Sequence, residues 1–154
     1  MLVDIVNTKK QVDFTPHQNF CVRNASWSPQ GDHLVTVGYD GYCRVFNVTD
    51  SSVKEVASYF VMERKELPSL KKPSQWTVAW NHYHNWPYIA VTGLKDVIIL
   101  RFDVKNSSLS ELCRLAGHKE TTNTACWSPN GLFLLSADRS VIPEVSGKSP
   151  ICYS

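Results

Sequence analysis

The chain has 154 residues, a hydrophobic content of 43% and a formal net charge of +2 at neutral pH. This length and apolar content suffice for one compact domain with a core, so most of the chain is expected to be ordered. The small charge does not by itself indicate a nucleic-acid surface. No segment approaches the roughly 18 apolar residues that a membrane span needs, and Met1–Asp13 lacks the apolar run of a signal peptide.

The cysteines also indicate a soluble, non-secreted protein. There are 5 of them, scattered along the chain without a CxxC pair. Such an odd number at irregular spacing is typical of reduced thiols in the cytosol or nucleus, and a disulfide framework is not expected.

The first half of the chain predicts a succession of short strands. Val22–Trp27 leads into a turn at Ser28–Gly31, His33–Val37 alternates, and a second turn at Gly38–Gly41 precedes Tyr42–Val48. Proline fixes φ early in the first turn and glycine supplies the positive φ that closes it. Both turns, and the matching turn at Ser128–Gly131, are therefore predicted to be hairpin connections.

Two further strands are predicted downstream. Tyr59–Val61 favours β structure and Pro68 would end a helix, so an outer strand is expected at Lys54–Met62, followed by a charged loop. Asp96–Val104 is almost continuous in β-branched and aromatic residues. That composition predicts a strand buried on both faces.

A sequence motif occurs twice and is weakly repeated between the two copies. Ala25–Leu34 and Ala125–Leu134 share Ala, Trp, Ser, Pro, Gly and Leu at equivalent positions, and Val78–Asn81 begins a degenerate third copy. The tryptophans of the three copies are 53 and 47 residues apart. A WD-repeat blade has a period of about 40 to 45 residues, so the motif resembles WD-repeat blades that carry loop insertions.

This resemblance implies an all-β fold, a partial WD-repeat β-propeller of about three four-stranded blades whose ring is not closed. The predicted segments are the end of a preceding blade at 1–13, a first blade at 14–62, a charged loop at 63–75, a degenerate second blade at 76–112, an incomplete third blade at 113–138 and a divergent tail at 139–154. A propeller closes with roughly four to eight blades. We therefore expect a fragment, a truncated isoform or an incomplete gene model.

In a WD blade, a His, a Ser or Thr, an Asp and a Trp form a hydrogen-bonded structural tetrad. The resemblance places His17, Thr36 and Asp40 in three of these positions and Phe46 in the position of the Trp. Phenylalanine has no indole N–H to donate. The network of the first blade is therefore predicted to be one link short.

The third copy resembles a blade less closely. His118 and Ser136 occupy the positions of the tetrad His and Ser. Ser140 then stands where the turn Asp is expected, and Pro143 falls inside the expected third strand, where it cannot donate to a ladder. The resemblance is predicted to end soon after Ser136.

At the family level, Leu2–Ser140 resembles the later part of the N-terminal propeller of the WD-repeat and HMG-box DNA-binding proteins, the replisome adaptors also called chromosome transmission fidelity factors. The similarity lies in the Asp40–Phe46 strand that runs into Asn47–Ser51, the long linker into Val78–Trp80, and a blade without Gly-His that leads to Cys126–Pro129. The resemblance implies a nuclear, chromatin-associated interaction module with replisome proteins and DNA as partners.

The same fold serves many assemblies, so a scaffold of a vesicle coat, of ciliary transport or of ribosome biogenesis is the alternative, with a cytoplasmic location possible. Catalytic signatures such as GxSxG, HExxH and a glycine-rich phosphate loop are absent from the sequence. We expect a protein that is not an enzyme and that uses no cofactor, metal, small-molecule substrate or membrane.

Two groups of residues could nevertheless bind something. His82 and His84 alternate, but no Cys pair or carboxylate stands beside them at ligand spacing, so a metal site is disfavoured. The tryptophans of the repeated motif are expected in the core. Trp76 and Trp86 lie outside the repeated positions and are predicted partner contacts, with a lid over the edge of a blade as the alternative for both.

Overall fold

The computed structural model describes residues 2–3, 11–61, 76–83 and 86–138, and these contain strands and turns but no helix. A two-stranded antiparallel sheet comes first, formed by β1 (Leu2–Val3) and β2 (Gln11–Val12). Within the part of the chain that the structure describes, no helical segment has the length and hydropathy needed to cross a bilayer.

Two four-stranded antiparallel sheets follow, each with its strands side by side in chain order. The first sheet contains β3 (Val22–Trp27), β4 (His33–Gly38), β5 (Tyr42–Val48) and β6 (Val53–Phe60). The second sheet contains β7 (Val78–Trp80), β8 (Tyr88–Val91), β9 (Val97–Asp103) and β10 (Ser108–Leu115). A third, two-stranded sheet contains β11 (Thr122–Trp127) and β12 (Leu134–Asp138).

The turns of the repeated motif form the predicted hairpins. The Gly31 N–H donates to the Ser28 carbonyl at 3.0 Å, and the Gly131 N–H donates to the Ser128 carbonyl at 2.8 Å. Both glycines have positive φ, +76° and +69°. This left-handed conformation explains why glycine stands at the end of both turns.

Apolar side chains fill the two spaces between successive sheets. Between the first and second sheets lies the larger core, formed chiefly by Val35, Val37, Cys43, Val45, Trp76, Val78, Trp80, Ile89, Val91, Ile98, Leu100 and Phe102. A smaller core lies between the second and third sheets and includes Ala90, Val97, Ile99 and Leu134. Each fully buried aliphatic or aromatic side chain stabilises the fold by about 1.5 to 3 kcal/mol relative to an exposed one.

The predicted fold class is confirmed, because the described residues form separate antiparallel sheets that stack without closing a ring. β5 has the predicted bounds, and Val97–Leu100 of β9 is fully buried, as its composition indicated. The outer strand β10 extends to Leu115, where it pairs with Val97. Residues 113–115 therefore lie in the second sheet, beyond the predicted boundary between the second and third blades.

Several predictions concern residues that the structure does not describe. These are most of the segment 1–13, the charged loop at 63–75, His84 and the tail at 139–154, including Ser140 and Pro143. They stay predictions.

Candidate functional site

The first sheet has a hydrogen-bonded cluster at the end of β4. His17 is 1% exposed, its Nε2 lies 2.9 Å from Thr36 Oγ1, and its Nδ1 lies 2.8 Å from Asp40 Oδ1. A carboxylate can only accept, so Nδ1 carries the proton and the Thr36 hydroxyl donates to Nε2. The structure thus brings together three of the four residues that the sequence placed in the first tetrad.

The imidazole of His17 is neutral, and the charged groups of the cluster are the Asp40 carboxylate and the Arg44 guanidinium. Burial lowers the pKa of His17 below its ordinary value of 6.5, and this outweighs the opposite effect of the Asp40 carboxylate. Burial alone would raise the pKa of Asp40, but bonds from the Tyr42 backbone N–H, Arg44 and His17 lower it below 3.8. Arg44 Nη1 donates to Asp40 Oδ2 and completes the cluster. No sequence pattern had singled out Arg44.

The fourth predicted tetrad residue, Phe46, makes no polar contact with the cluster because it has no donor. Its ring is 5% exposed and packs edge-on against Phe14, with ring centroids 5.5 Å apart. Apolar contact with the segment before His17 therefore takes the place of an indole hydrogen bond.

The third sheet contains a related cluster with a residue that the sequence analysis missed. His118 Nε2 lies 2.7 Å from Ser136 Oγ, and His118 Nδ1 lies 3.4 Å from Asp138 Oδ2. Asp138 Oδ2 also accepts the backbone N–H groups of Lys119 and Glu120, both at 3.2 Å. The strand period was the available signal, since Asp138 is two residues after Ser136 and shares its face.

Polar side chains join the inner strands of neighbouring sheets. The backbone N–H groups of Val78 and Trp80 on β7 point away from β8 and donate to Asn24 Oδ1 at 3.4 Å and Ser26 Oγ at 3.0 Å. On the next sheet, the Trp127 indole N–H donates to the Ala79 carbonyl at 3.0 Å. The bonds to Asn24 and Ser26 satisfy backbone N–H groups at the edge of β7 that would otherwise be exposed or orphaned.

The tryptophans of the repeated motif are not equally buried. Trp80 is 4% exposed between the first and second sheets, whereas Trp27 is 39% exposed. The expectation that Trp27 is a core residue is therefore wrong for the described structure. Trp27 is exposed because it lies on the face of the first sheet that points away from the second sheet.

The expectation of an exposed contact residue at Trp76 is also wrong. Trp76 is 1% exposed, and a Cβ added at Gly93 would lie 2.4 Å from its Cδ1 atom. Glycine at that position makes room for the indole, which belongs to the larger core. Trp86, by contrast, is half-buried and lines a cavity of about 250 Å³ between the first and second sheets.

The predicted histidines and the buried thiol do not form a metal site within the described residues. His82 is exposed, and nowhere in the described ranges do three or more His, Cys, Asp or Glu side chains gather as metal ligands would. Cys43 is buried, and burial raises the pKa of its thiol far above its usual range, so it stays protonated.

Comparison with known proteins agrees with the stacked sheets. The model for the WD domain, G-beta repeat, matches residues 8–47 and 109–142. The degenerate second copy is not matched. No curated protein matches this chain by sequence.

Three solved structures illustrate the similarity of fold. Sqt1 of Chaetomium thermophilum, bound to the N-terminus of the ribosomal protein L10, superposes with a TM-score of 0.61 at 20% identity, covering 76% of this chain and 30% of that one. The RRP9 WD40 repeats give 0.58 at 18% identity, covering 76% and 34%. A chain of the mitotic checkpoint complex gives 0.57 at 18% identity, covering 76% and 33%.

The chain thus spans about a third of the length of these solved structures. At such identities the similarity concerns the fold. Together with the two matched segments, it shows that the chain contains WD repeats and has the fold of part of a β-propeller.

Proposed function

We propose that this chain is a non-catalytic protein-interaction scaffold. The observation that carries the proposal is that the clustered polar side chains bond to other residues of the chain and do not surround the open cavity. His17, Asp40 and Arg44 bond to one another within the first sheet, and Asn24 and Ser26 bond to the next sheet. The first set stabilises the first sheet and the second set joins it to its neighbour, so both have structural roles. An open cavity lined by aromatic residues lies at the other end of β4 and is available to a partner.

For the cellular role, we propose a part of a nuclear replisome adaptor that acts in DNA replication and chromatin association. Support comes from the resemblance of the Asp40–Phe46 strand, the long linker into Val78–Trp80 and the Cys126–Pro129 motif to that family. Replisome proteins would be its partners, and DNA would be a further one.

Purification of the tagged full-length protein from nuclei of replicating cells tests this assignment. We expect the replicative helicase and DNA polymerase alpha to be recovered with it. Recovery with ribosomal proteins, coat components or ciliary components instead would overturn the replisome assignment and retain the scaffold. A turnover reaction that is abolished by substituting one titratable residue would overturn the scaffold proposal itself.

A further inference from the structure

The cavity beside Trp86 is formed by three connections that meet at one end of the first two sheets. Ser28 and Asp32 come from the β3–β4 turn, Trp86 and Pro87 from the β7–β8 connection, and Val104 from the β9–β10 turn. The volume of about 250 Å³ is below the roughly 300 to 1,000 Å³ of pockets that enclose whole small molecules. A cavity of this size fits a single side chain better than a whole small molecule.

Aromatic rings line this cavity and are held in place by one another. The His33 and Phe102 ring centroids are 5.2 Å apart, and those of Trp80 and Phe102 are 5.8 Å apart. Trp86 packs at near right angles on both Tyr83 and Tyr88, at 5.5 Å and 5.7 Å. These contacts fix the orientation of the walls before any ligand enters, which reduces the ordering that binding requires.

The rim of the cavity carries a negative charge. The Asp32 side chain is 54% exposed, and its Oδ1 accepts from Ser28 Oγ at 2.9 Å and lies 2.9 Å from His33 Nδ1. Slight burial would raise the pKa of Asp32, but these two partners lower it below 3.8, so the carboxylate is ionised at neutral pH. No lysine or arginine belongs to the described residues that line the cavity.

We infer that this cavity binds the side chain of an arginine from a partner polypeptide. The methylene stem lies against Trp86 and Val104, and the cation is placed between the aromatic rings and the Asp32 carboxylate. Such a side chain combines an apolar stem with a charged head, as the walls and the rim require. The inference rests on the proposed scaffold function and adds the chemistry of the partner.

Short peptides added to the intact 154-residue chain test this inference. The probes are acetylated, amidated pentapeptides of glycine with a central arginine, citrulline or norleucine, and the readout is the dissociation constant from an NMR titration that follows the signals of the peptide. Citrulline has nearly the shape of arginine without its charge. We expect saturable binding of the arginine peptide and about tenfold weaker binding of the citrulline peptide, because the latter has neither ion pair nor cation–π contact.

Two substitutions assign the effect to this cavity. Asp32→Asn keeps the acceptor for Ser28, and we expect it to reduce the affinity for the arginine peptide to that for the citrulline peptide. Trp86→Ala should weaken the binding of every probe. Asp13→Asn, at an exposed aspartate outside the cavity, is the matched control and should change nothing.

Three results would overturn the inference: no binding of the arginine peptide, equal binding of arginine and citrulline peptides, or norleucine binding as tightly as arginine. Retention of the arginine preference in Asp32→Asn would do the same. If the partners of the full-length protein are recovered undiminished with both variants, the scaffold function stands and this cavity is not its binding site.

Discussion

His17 is a residue whose neighbours decide its charge. Its two ring nitrogens face the Thr36 hydroxyl and the Asp40 carboxylate. Because the carboxylate can only accept a hydrogen bond, the proton lies on Nδ1, and Nε2 accepts from the Thr36 hydroxyl. A neutral histidine in a buried cluster makes folding depend on pH, because the unfolded chain can take up a proton that the folded chain resists.

The first prediction concerns this pH dependence. Since burial lowers the pKa of His17 from 6.5, the unfolded state binds more protons just below that pH, and stability falls as the pH falls. We expect the melting temperature to drop between about pH 7.5 and about pH 5.5. In His17→Gln this drop should be smaller, and equal slopes for the two proteins would contradict the assignment.

The second prediction concerns the glycine beneath Trp76. In Gly93→Ala the new Cβ would meet the indole at 2.4 Å, on a backbone with φ of +120°. We expect a loss of about 2 to 4 kcal/mol in the free energy of unfolding, measured with urea. Gly31→Ala is the matched control, because its φ is +76° but no atom lies within 4 Å of the new Cβ. Its loss should be about 1 kcal/mol.

At the scale of elements, each sheet depends on its neighbour through both apolar and polar contacts. β7 is short, and its outward N–H groups are satisfied by side chains of β3 and not by a further strand. An inner strand of this kind is stable only when the preceding sheet presents acceptors at the right register.

The third prediction tests that dependence. Ser26→Ala removes the acceptor for the Trp80 N–H, and an unsatisfied buried donor destabilises by about 1 to 3 kcal/mol. The equivalent position in the third sheet is Cys126, which is exposed. Cys126→Ala should therefore leave the urea midpoint almost unchanged. Comparable losses in the two variants would show that Ser26 does not act through the next sheet.

At the scale of the whole molecule, the described sheets stack but leave apolar surface open. The exposed large hydrophobic residues include Leu132 and Phe133 in the β11–β12 turn, Leu135 on β12, and Val22 and Trp27 on the first sheet. The outer edge of β12 has no paired strand among the described residues. Apolar surface beside an open strand edge favours association.

The fourth prediction follows from this open surface. We expect the isolated 154-residue chain to self-associate as its concentration rises, as measured by sedimentation velocity. Leu135→Lys places a charge beside the open edge and should shift the distribution toward monomer. Lys54→Glu, on the exposed outer strand of the first sheet, is a control for a change of surface charge. Monomer at all concentrations in the unchanged chain would contradict the prediction.

What the sequence determined was local. Turn residues and strand periodicity act over a few positions, so the hairpins at Ser28–Gly31 and Ser128–Gly131, the bounds of β5 and the burial of Val97–Leu100 in β9 could be predicted. The candidate positions of His17, Thr36 and Asp40 came from the spacing of a known motif.

The tertiary structure decided what depends on contacts between distant residues. Burial of Trp76 and exposure of Trp27 follow from which sheet faces are covered, and sequence periodicity does not contain that information. The same holds for Asp138, which accepts from backbone N–H groups 19 and 18 residues earlier in the chain, and for Arg44, which joins a cluster built around the distant His17. The aromatic cavity also exists only because three separate connections meet at one end of the stacked sheets.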